Sequence, residues 1–385
     1  MDSKYFLARQ YSLIKIVADN NILDLDFYLR DILESSEYQI NYLDDININN
    51  KALKDCEILL VRSTIKVNKP LLENTNVKFI GSATAGINHI DINYLDSHNI
   101  KWDYAPGCNS SAVTHYVLAV IAELIEKNKL DYDAKIGIIG YGNIGKKVWY
   151  YLNALGFNIF INDPLINDPN FVDIKTILKC DLVSLHVPFT EAGKYKTHNL
   201  IDKNELALLN NKILINTSRG GIVNEIALIK QDNVSYIADV WENEPSPSKS
   251  IINKAYIATP HIAGYSKEGK VNGSKMIANA VTNYLETFKN KNPFLFKNPA
   301  DKKTLNSSFA KAIIDPIPLY LFKDTFNVNL ISKEMKYAIR RKIDKKNIAN
   351  IFIKMRKNYP LRSDFDSTSK MPIKKQISYF YSKSI

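Results

Sequence analysis

The sequence predicts an α/β protein built on parallel sheets, in which short buried strands alternate with helices. Runs of β-branched and aliphatic residues recur along the chain, and polar, helix-compatible segments separate them. Most of these runs are apolar at nearly every position, as expected for strands that are covered on both faces. With 385 residues the chain is too long for one ordinary core, so two or three domains are expected.

A first series of elements lies in the N-terminal third of the chain. Strands are predicted at 14–20, 57–63 and 77–83, which are apolar runs that end in turn-forming or polar residues. The segment 110–128 begins with Ser and has apolar residues in helical rhythm. It is predicted to be a long helix with its N-cap at Asn109 or Ser110.

A second series begins with a strand, a glycine-rich loop and a helix at 134–156. Further strands are predicted at 158–163, 181–187, 212–218, 235–241 and 255–261. Five such strands after the first indicate a doubly wound sheet of the kind that binds dinucleotides. After about residue 290 this spacing is lost and the content of charged residues rises.

The net charge of +11 is concentrated in the C-terminal quarter of the chain. From Lys289 onward there are 22 Lys and Arg against 7 Asp and Glu, a net charge of +15, whereas the preceding residues carry −4. Such a segment can bind nucleic acid, but a solvated basic surface is the more common explanation. Nucleic acid is therefore not expected as a partner.

Composition argues against several other classes of protein. Charged residues interrupt the segment 1–20, so it does not read as a signal peptide, and no apolar run approaches the roughly 20 residues of a membrane-spanning helix. The three cysteines are odd in number and far apart, which argues against a disulfide framework and suits the cytoplasm. No His, Cys and Asp set has metal-ligand spacing, so no metal is expected.

Gly140, Gly142 and Gly145 form the pattern G-x-G-x-x-G, with Asn143 and Ile144 inside it, directly between a predicted strand and a predicted helix. In this context the pattern predicts a dinucleotide site. The first glycine permits a tight turn, the second lets the backbone approach a pyrophosphate, and the third lets the helix pack closely on the sheet. The helix N-terminus then offers free N–H groups to the phosphates.

Asp163 ends the next predicted strand. A carboxylate at this position accepts hydrogen bonds from the adenosine ribose hydroxyls and repels a 2′-phosphate, so NAD is favoured over NADP. The alternative is that Asp163 is only a turn residue before Pro164.

Three polar residues, Arg219, Glu244 and His261, follow three successive predicted strands, and ligands bind at the carboxyl ends of such strands. Oxidation of a 2-hydroxy acid by hydride loss needs a base for the hydroxyl proton, and a histidine can serve. Glu244 would orient the His261 ring and stabilise the imidazolium. Arg219 would hold the substrate carboxylate with two parallel hydrogen bonds. Each residue alone could equally fill a surface or turn position.

The segments GYGNIG, NTSRGG, DVWENEP and TPHIAG resemble those of the D-2-hydroxyacid dehydrogenases. In that family the matching Arg, Glu and His are catalytic, and the His accepts the proton. The resemblance covers about residues 13–290. It implies two doubly wound Rossmann-like domains with a deep crevice between them. Residues 1–107 with 264–288 would bind the substrate, and residues 108–263 would bind NAD.

Within the family, the segments 59–68, 81–91 and 104–117 are most similar to members that oxidise 4-phospho-D-erythronate in the synthesis of pyridoxal 5′-phosphate, vitamin B6. The segment 352–365 resembles part of a small C-terminal α+β dimerisation domain of those enzymes. The resemblance therefore implies such a domain at 289–385 and a homodimer that forms through it.

The resemblance also implies a set of binding residues. Besides the glycine loop and Asp163, the residues placed at NAD are Val187, Thr217, Ser218, Asp239 and Gly264, and those placed at the substrate are Ser63, Thr84 and Tyr265. Val187 stands where a Thr is expected, so only a backbone contact remains there.

Two arginines are candidates for the substrate phosphate. Arg62, next to Ser63, is the first, and a salt bridge at a strand end is an equal alternative for it. Arg356 of a partner subunit is the second.

Two alternatives to this function remain open. Another family member, such as one that acts on 3-phosphoglycerate, would have the same NAD site without the special tail. A non-enzymatic, NAD-sensing protein would retain the scaffold, and its function would survive the loss of His261.

Overall fold

The computed structural model describes residues 13–30, 38–289, 326–340 and 344–364. These residues divide into two compact units. The first contains the residues up to Asn109 and those that begin at Glu268, and the second contains Ser110–Lys267 and the described residues from 326 onward. The predicted domain boundaries stay a prediction. The predicted dimerisation domain at 289–385 lies mostly outside the described residues.

The first unit is built on a five-stranded parallel sheet with the order β2-β1-β3-β4-β5. Its strands are β1 (Ile14–Asp19), β2 (Tyr38–Leu43), β3 (Ile58–Val61), β4 (Phe79–Ser82) and β5 (Lys101–Tyr104). Its helices are α1 (Leu25–Arg30), α2 (Lys69–Leu72), α3 (Ile92–Ser97) and nearly all of α10 (Lys267–Lys289), with 3-10 turns at Asp45–Asn47 and Asn50–Leu53.

Alternate residues of the first sheet pack on opposite faces. Ile16 and Leu60 contact a cluster that includes Ile277 of α10, whereas Val17 and Leu59 belong to a second cluster on the other face. Covering on both faces explains why β1, β3 and β4 read as continuous apolar runs. The sequence did not predict β2 and β5, because these edge strands expose many of their side chains.

The second unit is built on a six-stranded parallel sheet with the order β11-β10-β9-β8-β6-β7. Its strands are β6 (Lys135–Ile139), β7 (Asn158–Asn162), β8 (Leu182–Leu185), β9 (Ile213–Asn216), β10 (Ser235–Ala238) and β11 (Ile257–Ala258). Its helices are α4 (Ser110–Glu126), α5 (Gly145–Ala154), α6 (Ile174–Ile177), α7 (Lys203–Leu208), α8 (Glu225–Ile229), α9 (Lys249–Lys254), α11 (Val328–Arg340) and α12 (Lys345–Lys357).

Both faces of the second sheet are also buried, since Ile213 and Ile215 lie in one apolar cluster and Leu214 lies in the other. The predicted α/β class, with two parallel and doubly wound sheets, is therefore confirmed. The strand order reverses at β6, which has β7 on one side and β8 on the other. Ligands bind at such a switch point, outside the carboxyl ends of the strands.

The described C-terminal helices pack on the second unit. Ser332 of α11 accepts a hydrogen bond from the N–H group of Ala258 at 2.9 Å, and Phe352 of α12 is buried in a cluster of the second sheet. The edge strand β11 is therefore covered. Among the helices in the described ranges, none is both long and apolar enough to cross a membrane.

Candidate active site

The glycine loop joins β6 to α5, and its backbone conformation requires glycine at two positions. Gly140 has φ of +93°, and a Cβ atom there would lie 2.4 Å from the carbonyl oxygen of His186. A Cβ atom on Gly145 would lie 2.0 Å from the carbonyl oxygen of Gly140. Gly142 differs, because a Cβ atom there would meet nothing within 4 Å. The protein itself does not use the space beside Gly142, and this is the position predicted to approach a pyrophosphate.

Other residues predicted at NAD also fit a bound dinucleotide. Thr217 is buried, and its Oγ1 atom has no hydrogen-bond partner among the described residues. Such a group is costly to bury unless a ligand or water completes it. Asn143 is exposed in the loop, and Ile144 lies at the N-cap of α5.

Asp163 binds the glycine loop directly. Its Oδ2 atom accepts a hydrogen bond from the N–H group of Tyr141 at 2.8 Å, and its Oδ1 atom accepts one from Leu165 at 3.1 Å. Asp163 is only half-buried, and each carboxylate oxygen has a further lone pair. The carboxylate therefore shapes the loop and retains acceptor capacity for a ribose hydroxyl. Its predicted contact with ribose stays a prediction.

Two other predicted NAD contacts bind each other. Ser218 donates from Oγ to the carbonyl oxygen of Leu185 at 2.6 Å and accepts from the N–H group of Val187 at 3.1 Å. The N–H group of Val187 is therefore engaged within the protein, and its carbonyl group is the backbone atom left for a cofactor.

His261 and Glu244 form a hydrogen-bonded pair. The Nδ1 atom of His261 lies 2.7 Å from Glu244 Oε2, and the side chains are 29% and 22% exposed. The other oxygen of Glu244, Oε1, accepts from the N–H group of Trp241 at 2.9 Å. Burial raises the pKa of the Glu244 carboxyl, but the charge and the hydrogen bond of His261 outweigh it, so the pKa is lowered. The carboxylate therefore stays ionised and accepts from Nδ1–H of the imidazole, so the lone pair of the neutral form of the ring lies on Nε2.

Asp239 fixes the backbone on which His261 lies. His261 has φ of +56°, a left-handed conformation that few non-glycine residues adopt, with Asn, Asp and His the more frequent ones, and its N–H group donates to the Asp239 carbonyl at 2.8 Å. The Asp239 carboxylate accepts from the N–H groups of Ile262 and Ala263, each at 2.8 Å, and from the Thr259 hydroxyl at 2.7 Å. Tyr116 in turn binds Thr259 at 2.8 Å. Asp239 is thus a loop-holding residue in this structure, a role that no sequence motif indicated.

Arg219 lies in the loop after β9, which approaches the loop after β10 closely. A Cβ atom on the adjacent Gly220 would lie 2.0 Å from the carbonyl oxygen of Trp241, so only glycine fits there. Arg219 is half-buried and donates from Nη1 to the Ser218 carbonyl at 2.7 Å. Burial lowers the pKa of Arg219, the charge of Glu244 raises it, and the charge of Arg356 lowers it. Arg219, Glu244 and His261 thus meet at the carboxyl ends of three neighbouring strands.

The sequence predicts Arg356 near the substrate phosphate only as a residue of a partner subunit. The structure places it on α12 of the same chain, within electrostatic range of Arg219 and Glu244. No sequence signal connected α12 with the catalytic strands, because that proximity arises from the packing of α12 on the second unit.

The predicted substrate residues of the first unit follow neighbouring strands. Ser63 is exposed after β3, and Thr84 follows β4 and donates from Oγ1 to the Gly86 carbonyl at 2.8 Å. Ser82 lies 2.7 Å from Thr84 Oγ1 and 2.9 Å from His89 Nε2. Since Thr84 donates to Gly86, Ser82 must donate to Thr84 and accept from His89. Burial lowers the pKa of His89 to about 4, in agreement with a neutral ring.

Arg62 forms the alternative salt bridge that the sequence analysis left open. Its Nε and Nη2 atoms donate to the two carboxylate oxygens of the fully buried Asp19, at 2.9 and 3.3 Å. Its predicted contact with a substrate phosphate stays a prediction.

Tyr265, in the second unit, packs edge-on against Tyr359 with the ring centres 6.2 Å apart. Gly264 directly precedes it in the loop that Asp239 holds.

Replacing Gly142 by Ala should separate cofactor binding from folding. The new methyl group meets no protein atom within 4 Å, so the melting temperature should stay within about 2 °C of the parent value. The methyl group would occupy the predicted pyrophosphate position, so we expect the dissociation constant for NAD to rise about tenfold or more, a cost of ~1.4 kcal/mol. Calorimetric titration with NAD measures it. Gly156→Ala, at a glycine with open space outside this loop but with φ of +85°, should lower the melting temperature and leave NAD affinity unchanged, so it controls for a loss of stability alone. Unchanged NAD affinity in Gly142→Ala would refute the assignment of the loop.

Comparison with known proteins places these features in a family. Residues 125–263 match the family described as D-isomer specific 2-hydroxyacid dehydrogenase, NAD binding domain. Erythronate-4-phosphate dehydrogenase of Wigglesworthia glossinidia brevipalpis is 35% identical over 369 residues, which is 92% of this chain and 93% of that protein. The protein of the same name from Hahella chejuensis is 36% identical over 366 residues, with 92% and 93% covered.

Solved structures show the same fold. The NAD-bound 3-phosphoglycerate dehydrogenase of Entamoeba histolytica aligns with a TM-score of 0.61 at 24% identity, over 75% of this chain and 99% of that chain. The D-lactate dehydrogenase of Aquifex aeolicus, complexed with NAD and lactic acid, aligns with a TM-score of 0.56 at 22% identity, over 74% and 100%. The common fold therefore leaves about a quarter of this chain unmatched, whereas the erythronate-4-phosphate dehydrogenases match nearly all of it.

Proposed function

This chain belongs to the D-isomer specific 2-hydroxyacid dehydrogenase family, and on that premise we propose that it oxidises 4-phospho-D-erythronate to 2-oxo-3-hydroxy-4-phosphobutanoate. NAD is the cofactor and takes the hydride. The reaction is a step in the synthesis of pyridoxal 5′-phosphate. The observation that carries the proposal is the 2.7 Å bond between His261 and Glu244 beside Arg219, at the carboxyl ends of adjacent strands.

His261 is the proton acceptor in this proposal. Glu244 holds the ring by Nδ1–H, and Nε2 has no hydrogen-bond partner among the described residues. This nitrogen takes the proton of the substrate C2 hydroxyl as the hydride leaves C2, and the new imidazolium is stabilised by the ionised Glu244. In the reverse direction the same imidazolium returns the proton to the carbonyl oxygen.

Arg219 orients the substrate. Its planar guanidinium matches a carboxylate with two parallel hydrogen bonds, which fixes the C2 hydroxyl relative to His261. The partial burial of Arg219 strengthens this interaction because water screens it less. The bound nicotinamide supplies the hydride-accepting carbon, and the glycine loop, Thr217 and Ser218 are the protein groups that would hold the cofactor.

The substrate phosphate requires a further cation. Arg62 donates hydrogen bonds from Nε and Nη2 to Asp19, and its Nη1 group remains as a donor for a phosphate oxygen. Arg356 is a second candidate in the same chain, because it is close enough to Arg219 to influence its pKa. Ser63 and Thr84 are proposed as the hydroxyl contacts of the substrate.

The choice of hydroxy acid can be tested directly. With NAD present, we expect the purified protein to form NADH from 4-phospho-D-erythronate with kcat/KM about 100-fold above that for 3-phosphoglycerate, a difference of ~2.7 kcal/mol. Stopped-flow absorbance of NADH measures both substrates under identical conditions. Equal efficiency on both acids would favour the alternative family member. Turnover of neither would favour a protein that binds NAD without catalysis.

We further infer a homodimer and a cytoplasmic location. The relatives named erythronate-4-phosphate dehydrogenase match 92% of this chain, more than the 74–75% that the general family fold covers, which supports a further part shared with those relatives, as the predicted dimerisation domain requires. Three buried, unpaired cysteines suit a reducing compartment.

A further inference from the structure

The segment His261–Tyr265, here called the catalytic loop, is held by a charged side chain on each side. On one side, Asp239 accepts hydrogen bonds from the N–H groups of Ile262 and Ala263 at 2.8 Å. On the other side, the carbonyl groups of the same loop point to Arg362, a residue of the C-terminal segment. Asp239 therefore binds N–H groups of the loop, and Arg362 binds its carbonyl groups.

The terminal nitrogens of Arg362 donate to four backbone carbonyl groups. Nη1 donates to Ile262 and Tyr265 at 3.1 and 3.0 Å, and Nη2 donates to Ala263 at 2.6 Å and to Ala112 at 2.8 Å. Four carbonyl oxygens thus match the four terminal N–H groups of one planar guanidinium. Because Ala112 belongs to the first turn of α4, the same side chain ties the catalytic loop to that helix.

The surroundings of Arg362 fix its position. Its guanidinium carbon lies 4.2 Å from the centre of the Phe326 ring, a cation–π contact. Its carbonyl group accepts from the N–H group of Lys267 at 2.9 Å. Two residues on, Asp364 accepts from the buried hydroxyl of Ser266 at 2.8 Å. The C-terminal segment is therefore bound to the chain directly after the catalytic loop through its backbone and its side chains.

We propose that Arg362 is a positioning residue of the active site, which sets the conformation of the catalytic loop and thereby aims His261 and Tyr265. The proposal rests on the proposed function, since His261 is the proton acceptor there. His261 holds a left-handed backbone conformation that a non-glycine residue keeps only when its neighbours fix it. Asp239 fixes the loop through its N–H groups, and Arg362 fixes it through its carbonyl groups, from a segment about a hundred residues later in the chain.

The chemistry of the contact requires arginine. A lysine carries three donors on one nitrogen and cannot reach four carbonyl groups that surround a planar fork. The Arg362→Lys variant would keep the positive charge but could not bind all of these carbonyl groups. An alanine would remove the side-chain donor from all four, and only the Ile262 carbonyl would keep its hydrogen bond from the N–H group of Tyr265 within the loop.

The test compares Arg362→Ala and Arg362→Lys with Arg340→Ala, which changes an exposed arginine at the end of α11. We expect Arg362→Ala to lower kcat about 100-fold, with a much smaller change in KM, because misplacing a catalytic group by about 1 Å has this effect. Arg362→Lys should be intermediate, and Arg340→Ala should match the parent protein. Added methylguanidinium chloride should restore part of the lost kcat of Arg362→Ala, which a general loss of folded protein would not allow.

Hydrogen exchange of residues 261–265 provides a readout that needs no substrate. It should accelerate in Arg362→Ala while exchange in the strands β6 and β8 stays unchanged. If the parent protein fails to oxidise 4-phospho-D-erythronate, the proposed function falls, and the exchange measurement still decides the positioning role. Parent-like kcat in both Arg362 variants, a kcat loss that methylguanidinium does not reverse, or unchanged exchange in the catalytic loop would overturn the proposal.

Discussion

Replacing His261 by Asn is expected to lower kcat about 1,000-fold while NAD still binds with the parent affinity. The substitution removes the only group placed to take the hydroxyl proton in the proposed mechanism, and general-base catalysis contributes about 10²–10⁴-fold. Asn suits the experiment better than Ala, because it tolerates the positive φ of +56° at this position and so preserves the catalytic loop. Rapid-quench kinetics with saturating NAD measure the chemical step.

The control for this experiment is His198→Asn, which changes an exposed histidine of the same unit. It should leave kcat within about twofold of the parent value, as surface substitutions usually do. A kcat of His261→Asn that matched the control would remove His261 from the mechanism, and with it the main argument for catalysis. A parallel loss of NAD affinity would point instead to a damaged loop.

Replacing Arg219 by Gln is expected to lower kcat/KM for the hydroxy acid by about 100-fold or more. Each charge-assisted hydrogen bond to the substrate carboxylate contributes ~1.5–3 kcal/mol, and the neutral amide cannot form the parallel pair. Because Glu244 acts on the charge of Arg219, the loss of that charge should also alter the pH profile of kcat/KM. Steady-state kinetics across pH at saturating NAD measure both effects.

Arg219→Lys is the matched variant, since it keeps the charge without the planar fork. We expect it to recover only part of the lost kcat/KM. Full recovery would mean that Arg219 acts as a point charge and does not orient the substrate. An unchanged kcat/KM in Arg219→Gln would exclude carboxylate binding by this residue.

The parts of this protein that could be read from sequence are those set by local sterics and periodicity. The glycine loop was predictable because Gly140 and Gly145 leave no room for a Cβ atom, and such positions impose a visible pattern. The central strands were predictable because both of their faces are buried, which makes each of them a continuous apolar run. The edge strands β2 and β5 lacked that signal, since one or both of their faces remain partly exposed.

Their residue types predicted that Arg219, Glu244 and His261 are catalytic. They meet because the carboxyl ends of neighbouring parallel strands lie at the same edge of the sheet. The hydrogen-bond partners around them could not be predicted from the sequence. Nothing in the local sequence distinguishes Asp239 as the carboxylate that receives the N–H groups of the catalytic loop, or Arg62 as the partner of Asp19. Both depend on which buried polar groups meet after the helices have packed.

The amino-acid order alone therefore establishes the α/β class, the dinucleotide loop and the catalytic residue types, because each of these leaves a short-range pattern of size, polarity or backbone freedom. Folding in three dimensions decided that Arg362 of the C-terminal segment binds the carbonyl groups beside His261, and that Arg356 lies near Arg219. Such contacts join residues separated by about a hundred positions or more. They have no periodicity along the chain and arise only where packed elements bring an unsatisfied donor to an unsatisfied acceptor.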